Sequence, residues 1–381
     1  MKKIYLYVVI VLLFVIEQLF AYDFTVNDVN GNAIYYNYLG GDSVAITYDK
    51  MLQSSYAGDI VIPSNVFVEL STYRITSIGN YAFCGGALTS IIIPNSVTNI
   101  GKSAFYGCNK LISIEIPESV TSIGETAFGY CRSLTSIDLP NSITNIAKYT
   151  FLNCTGLTSV TIPNSVISIG ISAFDGCHKL SSLSVPRNVS DIGEYAFESC
   201  FHLDSIVVPN SVTSIGDNAF LYVRNIVYNG EATGSPWGAK SINGCAEGPL
   251  VYADKNKQIL LACSVTATDV DIPESVTEIG PNAFYHCESL TSIDIPNSVT
   301  SIGENAFFVC SSLTSVTIPK SVASIGNTVF SSCSNLTSIC VEVGNAKYDS
   351  REHCNALVET ASNTLIEGCK NTTIPNSITS I

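Results

Sequence analysis

The chain has 381 residues, a net charge of −14 from 32 acidic and 18 basic side chains, and a composition that is 46% hydrophobic but only 13% charged. That apolar fraction supplies a large buried core and rules out a disordered chain. The acidic balance argues against a nucleic-acid binder, whose phosphate contacts need clustered Lys and Arg. One Trp, two Met and four His leave little material for a haem pocket or a multi-histidine metal centre.

Met1-Lys2-Lys3 precede an unbroken apolar run from Ile4 to Ile16, followed by Glu17-Gln18-Leu19-Phe20-Ala21. This is the layout of a secretory signal peptide, with cleavage expected after Ala21. The run is shorter than the ~20 residues that cross a bilayer. No later segment is a transmembrane candidate, so the mature chain is expected to be exported, secreted or surface-attached, with no membrane span. No Cys lies near the cleavage point, which argues against a lipoprotein anchor.

Beyond the leader the sequence repeats itself. Pro94, Pro117, Pro140, Pro163, Pro186 and Pro209 are spaced by 23, and the beat returns at Pro273, Pro296 and Pro319. In the unit that starts at Leu290, Leu290, Ile293 and Ile295 alternate with polar residues, as in a half-buried strand. Pro296-Asn297 turns the chain, and Val299 and Ile302 return to the interior. Gly303 is expected to allow a backbone conformation that a Cβ resists. The same Gly recurs along the arrays except at Ala147, where a left-handed backbone carries a penalty of ~1 kcal/mol. Glu304-Asn305-Ala306-Phe307 reads as one helical turn with an acidic residue at its positive end. The Phe at this position, from Phe83 through Phe220 and from Phe284 through Phe330, should stack into an aromatic column. One unit cannot close a core, but stacked units bury a continuous one, with one parallel strand per coil.

The pattern L-x-x-I-x-I-P-x-S-V-x-x-I-G-x-x-A-F-x-x-C-x-x-L resembles the BspA-type leucine-rich repeat, related to the repeats of Treponema surface proteins, over roughly Asn65 to Ile381. Tyr22-Asp23-Phe24 through Pro63 looks like the N-terminal cap of such proteins. Tyr348-Asp349-Ser350-Arg351 through Asn371 looks like an insert in members from Bacteroides and Prevotella relatives. The resemblance implies a cell-surface or secreted protein of an anaerobic commensal or pathogen, with roles in adhesion to host matrix proteins and in aggregation between cells. It offers no catalytic residues to carry over.

The expected fold is mainly β: a right-handed leucine-rich-repeat solenoid with one short parallel strand and one short helical turn per 23-residue coil, plus inserted β-hairpins. The organisation reads as a signal peptide (1–21), an N-terminal cap (22–72), a first repeat array (73–221), an insert with a β-hairpin (222–271), a second array (272–341), a second hairpin insert (342–373) and the start of a truncated repeat (374–381).

Fourteen cysteines in an exported chain suggest a disulfide framework. Position argues otherwise for most. Cys108, Cys131, Cys154, Cys177 and Cys200 fall 23 apart, as do Cys287, Cys310 and Cys333, and Cys84 takes the same place in a shorter coil. Each should point inward as a free thiol acting as a small hydrophobe, since stacked coils orient their Cβ vectors poorly for a bridge. Cys245 with Cys263, and Cys354 with Cys369, flank the two hairpins; each couple either staples its hairpin or is merely packed. Cys340 lies at an outward strand position and is the candidate reactive thiol.

His178, His286 and His353 adjoin cysteines, but no C-x-x-C, G-x-S-x-G, H-E-x-x-H or G-x-x-x-x-G-K is present. No enzyme activity and no cofactor or metal is expected. The outward residue between the two central strand hydrophobes is free to vary: Ile92, Glu115, Asp138, Thr161, Ser184 and Val207 along the first array, then Asp294, Thr317 and Cys340. Glu115, Asp138, Thr161, Ser184, Asp294 and Thr317 are the candidate ligand-binding residues of a flat face suited to macromolecular partners. Those partners are expected to be extracellular proteins or cell surfaces; the alternative is a structural spacer or surface-layer scaffold. Trp237, in Gly234-Ser235-Pro236-Trp237-Gly238, either anchors a partner or packs the insert onto the solenoid.

Overall fold

The computed structural model describes residues 22–48, 56–233, 237–239, 242, 245–253 and 255–381, with 245–247 described by their backbone alone. The signal-peptide reading of 1–21 lies outside the described residues. The chain is a mainly β solenoid made of two compact units, one of Met1–Cys200, Val208–Leu221 and Asn229–Gly238, the other of Phe201–Val207, Tyr222–Tyr228 and Ala239–Ile381.

The first unit opens with an antiparallel meander, Phe24–Asn27, Ala33–Gly40 and Ser43–Thr47, in register Phe24↔Tyr36 and Tyr36↔Ile46. Its third strand pairs in parallel with Ser71–Ile78, whose end pairs with Asn99–Ile100 and so feeds the solenoid ladder. Tyr36, Ile46 and Ile78 are fully buried there. The first turn of the meander is fixed by buried Asp28, which accepts the backbone N–H groups of Asn30, Asn32 and Val61 and the Asn32 side-chain amide at 2.8–3.2 Å. Burial alone would raise the Asp28 pKa, but these hydrogen bonds, that of the Asn32 side chain foremost, hold it below the ordinary carboxylate value.

A coil is typified by the stretch that starts at Leu157. Ser159–Thr161 pairs in parallel with Ser136–Asp138, residue on residue one coil back. The Val166 N–H donates to the Pro163 carbonyl at 3.1 Å to close the corner. Ser168–Ile169 then pairs with Asn145–Ile146 on one side and Asp191–Ile192 on the other. The expected helical turn is absent. Residues 171–176 instead form a run of turns in which N–H groups alternate their targets: Ala173 and Cys177 bond back to Gly170 and Phe174, whereas Ser172, Phe174 and Gly176 donate to Glu194, Ala196 and Glu198 of the next coil. Such alternation needs a left-handed backbone at fixed places, here Ser172 (φ +48°) and Gly176 (φ +72°), and an α-helix cannot supply donors to a neighbour because its own carbonyls take them. The one helical element among the described residues is a short 3₁₀ turn at Arg351–His353.

The repeated glycine also works differently from expectation. Gly170, Gly193 and Gly216 do not have positive φ. A Cβ at Gly193 would stand 2.6 Å from the Ile171 nitrogen and at Gly216 2.3 Å from that of Glu194, so the residue is Gly because the previous coil's backbone passes against it. Ala147 likewise lacks positive φ, and the anticipated left-handed strain does not arise. Its methyl has another consequence. At the Gly positions the N–H donates to the isoleucine carbonyl one coil back, as in Gly124→Ile100 and Gly170→Ile146 at 2.8–2.9 Å. Among the described residues Ala147 has no such bond to Ile123 and Thr144 none to Thr121, and the ladder of second strands stops at Ser122–Ile123 and restarts at Asn145–Ile146.

The phenylalanine column forms as expected. Phe83 to Phe220 are buried in the first unit with ring centroids 5.2–5.6 Å apart and planes within 13°. Phe284, Phe307 and Phe330 repeat the arrangement in the second unit at 4.7 and 5.4 Å. The cysteine ladder beside it is free and mostly buried. Its thiols are more than filler: Cys131, Cys154 and Cys177 donate to the carbonyls of Phe105, Phe128 and Phe151 in the coil before, at 3.0–3.2 Å. Burial pushes their pKa values well up, so the thiols stay protonated as the hydrogen bond requires.

In the second unit both hairpins are present. Cys245–Glu247, Leu250–Tyr252 and Ile259–Cys263 form an antiparallel meander whose last strand joins Glu278–Ile279, Ser301–Ile302 and Ser324–Ile325 in parallel. The solenoid is thus re-entered in the way the N-terminal meander enters it. Arg224, nearly buried, pairs with Asp204 at 3.2 Å and donates to the Gly248 and Leu250 carbonyls, tying this meander down. Near the end, Tyr348–Asp349, Ala356–Glu359 and Thr364–Gly368 form the second antiparallel hairpin sheet.

Candidate functional site

The first strand of each coil alternates sides, so every second side chain must leave the core. Glu115, Asp138, Thr161 and Ser184 in the first unit, and Asp294 and Thr317 in the second, are all exposed, as are Ile92, Val207 and Cys340. Between them Ile137, Val160, Ile206 and Val316 are buried. Parallel pairing places Asp138 beside Thr161 and Thr317 beside Cys340, so in each unit outward residues stand as rungs one coil apart.

The face is not flat throughout. Between Asn95, Ser113, Glu115, Pro117, Glu118, Ser136, Asp138 and Pro140 lies a groove of ≈ 740 Å³ in the first unit. Glu118 is held in it by the Asn141 backbone N–H at 2.9 Å and the Asn141 side chain at 3.3 Å. Glu115 and Asp138 take part in no ion pair or side-chain hydrogen bond among the described residues, which leaves both carboxylates open to a ligand. Glu118 and, in the second unit, Asp271, which bridges to Asp294 one coil on, were not singled out by the spacing of strand residues. Their places relative to proline reveal them: Asp271 stands two residues before Pro273 as Asp294 does before Pro296, and Glu118 follows Pro117 at the corner.

Cys263, Cys354 and Cys369 are free, and the side chain of Cys245 lies outside the described residues. The alternative of a Cys354–Cys369 staple is not formed. Cys354 is buried with Ala356, Val358 and Leu365, whereas the Cys369 thiol points to the Asn355 carbonyl at 3.1 Å and packs on the other cluster. Cys340 is exposed, with the Ser338 hydroxyl 3.5 Å from its sulfur. Trp237 is buried, its indole N–H donating to the Thr233 carbonyl at 2.8 Å, and its own carbonyl accepts the Phe220 N–H at 2.9 Å. It therefore occupies the place that an Ala holds in an ordinary next coil, as when Phe197 donates to Ala219. Among the described residues no group of three His, Cys, Asp or Glu side chains is arranged to hold a metal ion, and no helix is long and apolar enough to cross a membrane.

The model of the BspA-type leucine-rich repeat region matches residues 76–165, 144–229 and 260–381, in six copies. The chain belongs to the BspA-type leucine-rich-repeat family. Among solved structures it is similar to a leucine-rich cell-surface protein from Faecalibacterium prausnitzii, with 28% identity over 84% of this chain and 88% of that one and a TM-score of 0.49. A leucine-rich-repeat protein from Bacteroides ovatus is 29% identical over 84% of this chain and 94% of that one, with a TM-score of 0.43. No curated protein matches the chain. Solenoids of this BspA-type kind are typically non-catalytic and engage other proteins in general.

Proposed function

We propose that this BspA-type chain is an exported surface protein that binds other proteins, on host matrix or on neighbouring cells, through its exposed strand face. The observation that carries the reading is the sheet itself: Glu115, Asp138, Thr161 and Ser184 in one unit, and Asp294 and Thr317 in the other, are exposed on a backbone fixed by inter-coil pairing, and none of them is needed by the core. Such a face offers rigid area rather than a closed pocket, which suits a macromolecule better than a small molecule. The charged leader in front of a short apolar run supports export.

The test is binding of the purified chain to immobilised fibronectin, immobilised fibrinogen and intact bacterial cells. Saturable binding is expected to at least one, and to be lost when Asp138→Asn, Thr161→Ala and Ser184→Ala are combined in a chain that still melts cooperatively. A folded chain that binds none of them leaves the spacer reading in place of adhesion.

A further inference from the structure

The groove at Glu115 and Asp138 coincides with the coil junction that departs from the repeat rule. One wall belongs to the coil that runs from Leu111 to Cys131, the other to the coil from Leu134 to Cys154, and Asn95 closes one end. That same pair of coils has lost the second-strand rungs at Thr144 and Ala147. Their phenylalanines, Phe128 and Phe151, stand 5.6 Å apart, the widest step in a column whose other first-unit steps are 5.2–5.5 Å. At the corner between groove and seam the Asn141 backbone N–H and side chain bond Glu118, and the Ser142 hydroxyl bonds the Val120 carbonyl as Ser119, Ser211 and Ser321 bond Val97, Val189 and Val299 elsewhere in the repeat. The missing second-strand rungs and the groove therefore lie at one and the same coil junction, whose first strands stay bridged at Ser113–Ser136.

We propose that this groove is the docking slot of the first unit for a lysine- or arginine-bearing extended segment of a partner protein, and that Ala147 in place of Gly is what opens it. The proposal rests on the reading that the strand face binds proteins, and it deepens that reading to a partner chemistry. The occupant follows from charge. Glu115 and Asp138 are exposed carboxylates on adjacent coils with no cation paired to them among the described residues, and Glu118 adds a third that its bonds to Asn141 hold in place. An ammonium or guanidinium group there gains charge-assisted hydrogen bonds without having to displace a resident ion pair. A second copy of the chain, itself at −14, would be repelled from the slot.

The experiment uses the full chain and a fluorescein-labelled peptide of alternating Gly and Lys, with the alternating Gly and Glu peptide as control. Wild type is expected to bind the lysine peptide alone, more weakly as salt rises. Glu115→Gln with Asp138→Asn, isosteric at an exposed face, should weaken that binding about tenfold. Ala147→Gly should weaken it as well while leaving both carboxylates in place, which separates the shape of the slot from its charge. Unchanged affinity in the double variant overturns the proposal, and unchanged affinity in Ala147→Gly overturns the role of the seam. Calcium titrated alone is the third arm: calcium binding lost in the double variant, without peptide binding, overturns the peptide assignment in favour of a cation site. Failure of the slot is distinguishable from failure of the face, because Thr161→Ala with Ser184→Ala would then still reduce binding to matrix protein or cells while the charge variants would not.

Discussion

Two coil junctions in the first unit are written in nearly the same sequence and are bonded differently. Across the junction that leads into Gly170, the Gly170 and Ile167 N–H groups donate to the Ile146 and Thr144 carbonyls, and Ser168–Ile169 pairs with Asn145–Ile146. Across the preceding junction, into Ala147, none of these rungs is made among the described residues, although the turn segments still bond through Thr126→Lys148, Phe128→Thr150 and Tyr130→Leu152. The Ala147 junction is therefore open along its second strands and closed along its turn segments. The lesson is that the glycine of this repeat acts between coils rather than within one: it lets the backbones approach closely enough for the second-strand ladder to form.

The core common to both junctions should give the largest effect. Phe151 stacks on Phe128 across the open junction and on Phe174, at 5.2 Å, across the closed one. Phe151→Ala removes a fully buried ring and is expected to cost ~3–5 kcal/mol, read as a fall in denaturation midpoint. Phe174→Ala, with closed junctions on both sides, should cost at least as much; a markedly smaller loss would break the claim that the open junction is the looser one. Next comes the glycine itself. Gly193→Ala places a Cβ 2.6 Å from the Ile171 nitrogen, so a second junction must spread as the Ala147 junction does. Overpacking of this kind costs about 1–3 kcal/mol, and hydrogen exchange at residue 193 should rise with it.

The thiols offer a smaller and pH-dependent test. Cys154 bonds Phe128 across the open junction and Cys177 bonds Phe151 across the closed one. Burial raises both pKa values above that of an unfolded thiol, ~8.5. The fold therefore keeps protons that the unfolded chain releases. The stabilisation is complete below about pH 8.5 and declines as pH rises beyond it. Melting temperature should fall from neutral to alkaline pH, and less steeply in Cys154→Ala or Cys177→Ala. A thiol reagent should modify exposed Cys340 first in the native chain and the buried ladder only on unfolding; rapid native modification of Cys154 would show that the seam admits solvent.

Much of this was legible from spacing alone. Prolines 23 apart give the coil, alternation gives the strand, and an invariant offset places Phe and Cys inward, because those features repeat along one dimension. What escaped depends on the neighbouring coil. The need for Gly at 193 arises from where the Ile171 nitrogen passes, and the thiol donors of Cys131 or Cys154 are aimed at carbonyls 26 residues away. The left-handed positions are masked for a related reason. Ser103, Thr126, Tyr149 and Ser172 all adopt φ of +48° to +60°, a conformation that their identities do not advertise. Inter-coil hydrogen bonds from these turns offset the strain, so no glycine was required there. In the candidate site, alternation located Glu115 and Asp138 correctly on the outside, but the groove between them is a product of coil spacing and has no motif.

The smallest expected effect is also the one that decides whether the comparison is causal. If the Ala147 methyl alone holds the junction open, Ala147→Gly should let residue 147 donate to the Ile123 carbonyl and Thr144 to that of Thr121, as Gly170 and Ile167 do one coil on. Two backbone hydrogen bonds contribute ~0.5–1.5 kcal/mol each, against ~0.5–1 kcal/mol for the extra freedom of glycine in the unfolded chain. The net gain is therefore at most about 2.5 kcal/mol, and melting temperature alone is a blunt reader of it. Amide exchange is sharper. In the wild type the Ala147 amide should exchange faster than that of Gly170, and in Ala147→Gly the two should converge. If residue 147 gains protection, a single methyl keeps this junction open. If it stays unprotected, the spread is set instead by the bridge from the Asn141 backbone and side chain to Glu118, and Glu118→Ala, which removes both of those bonds, becomes the variant that should close the seam.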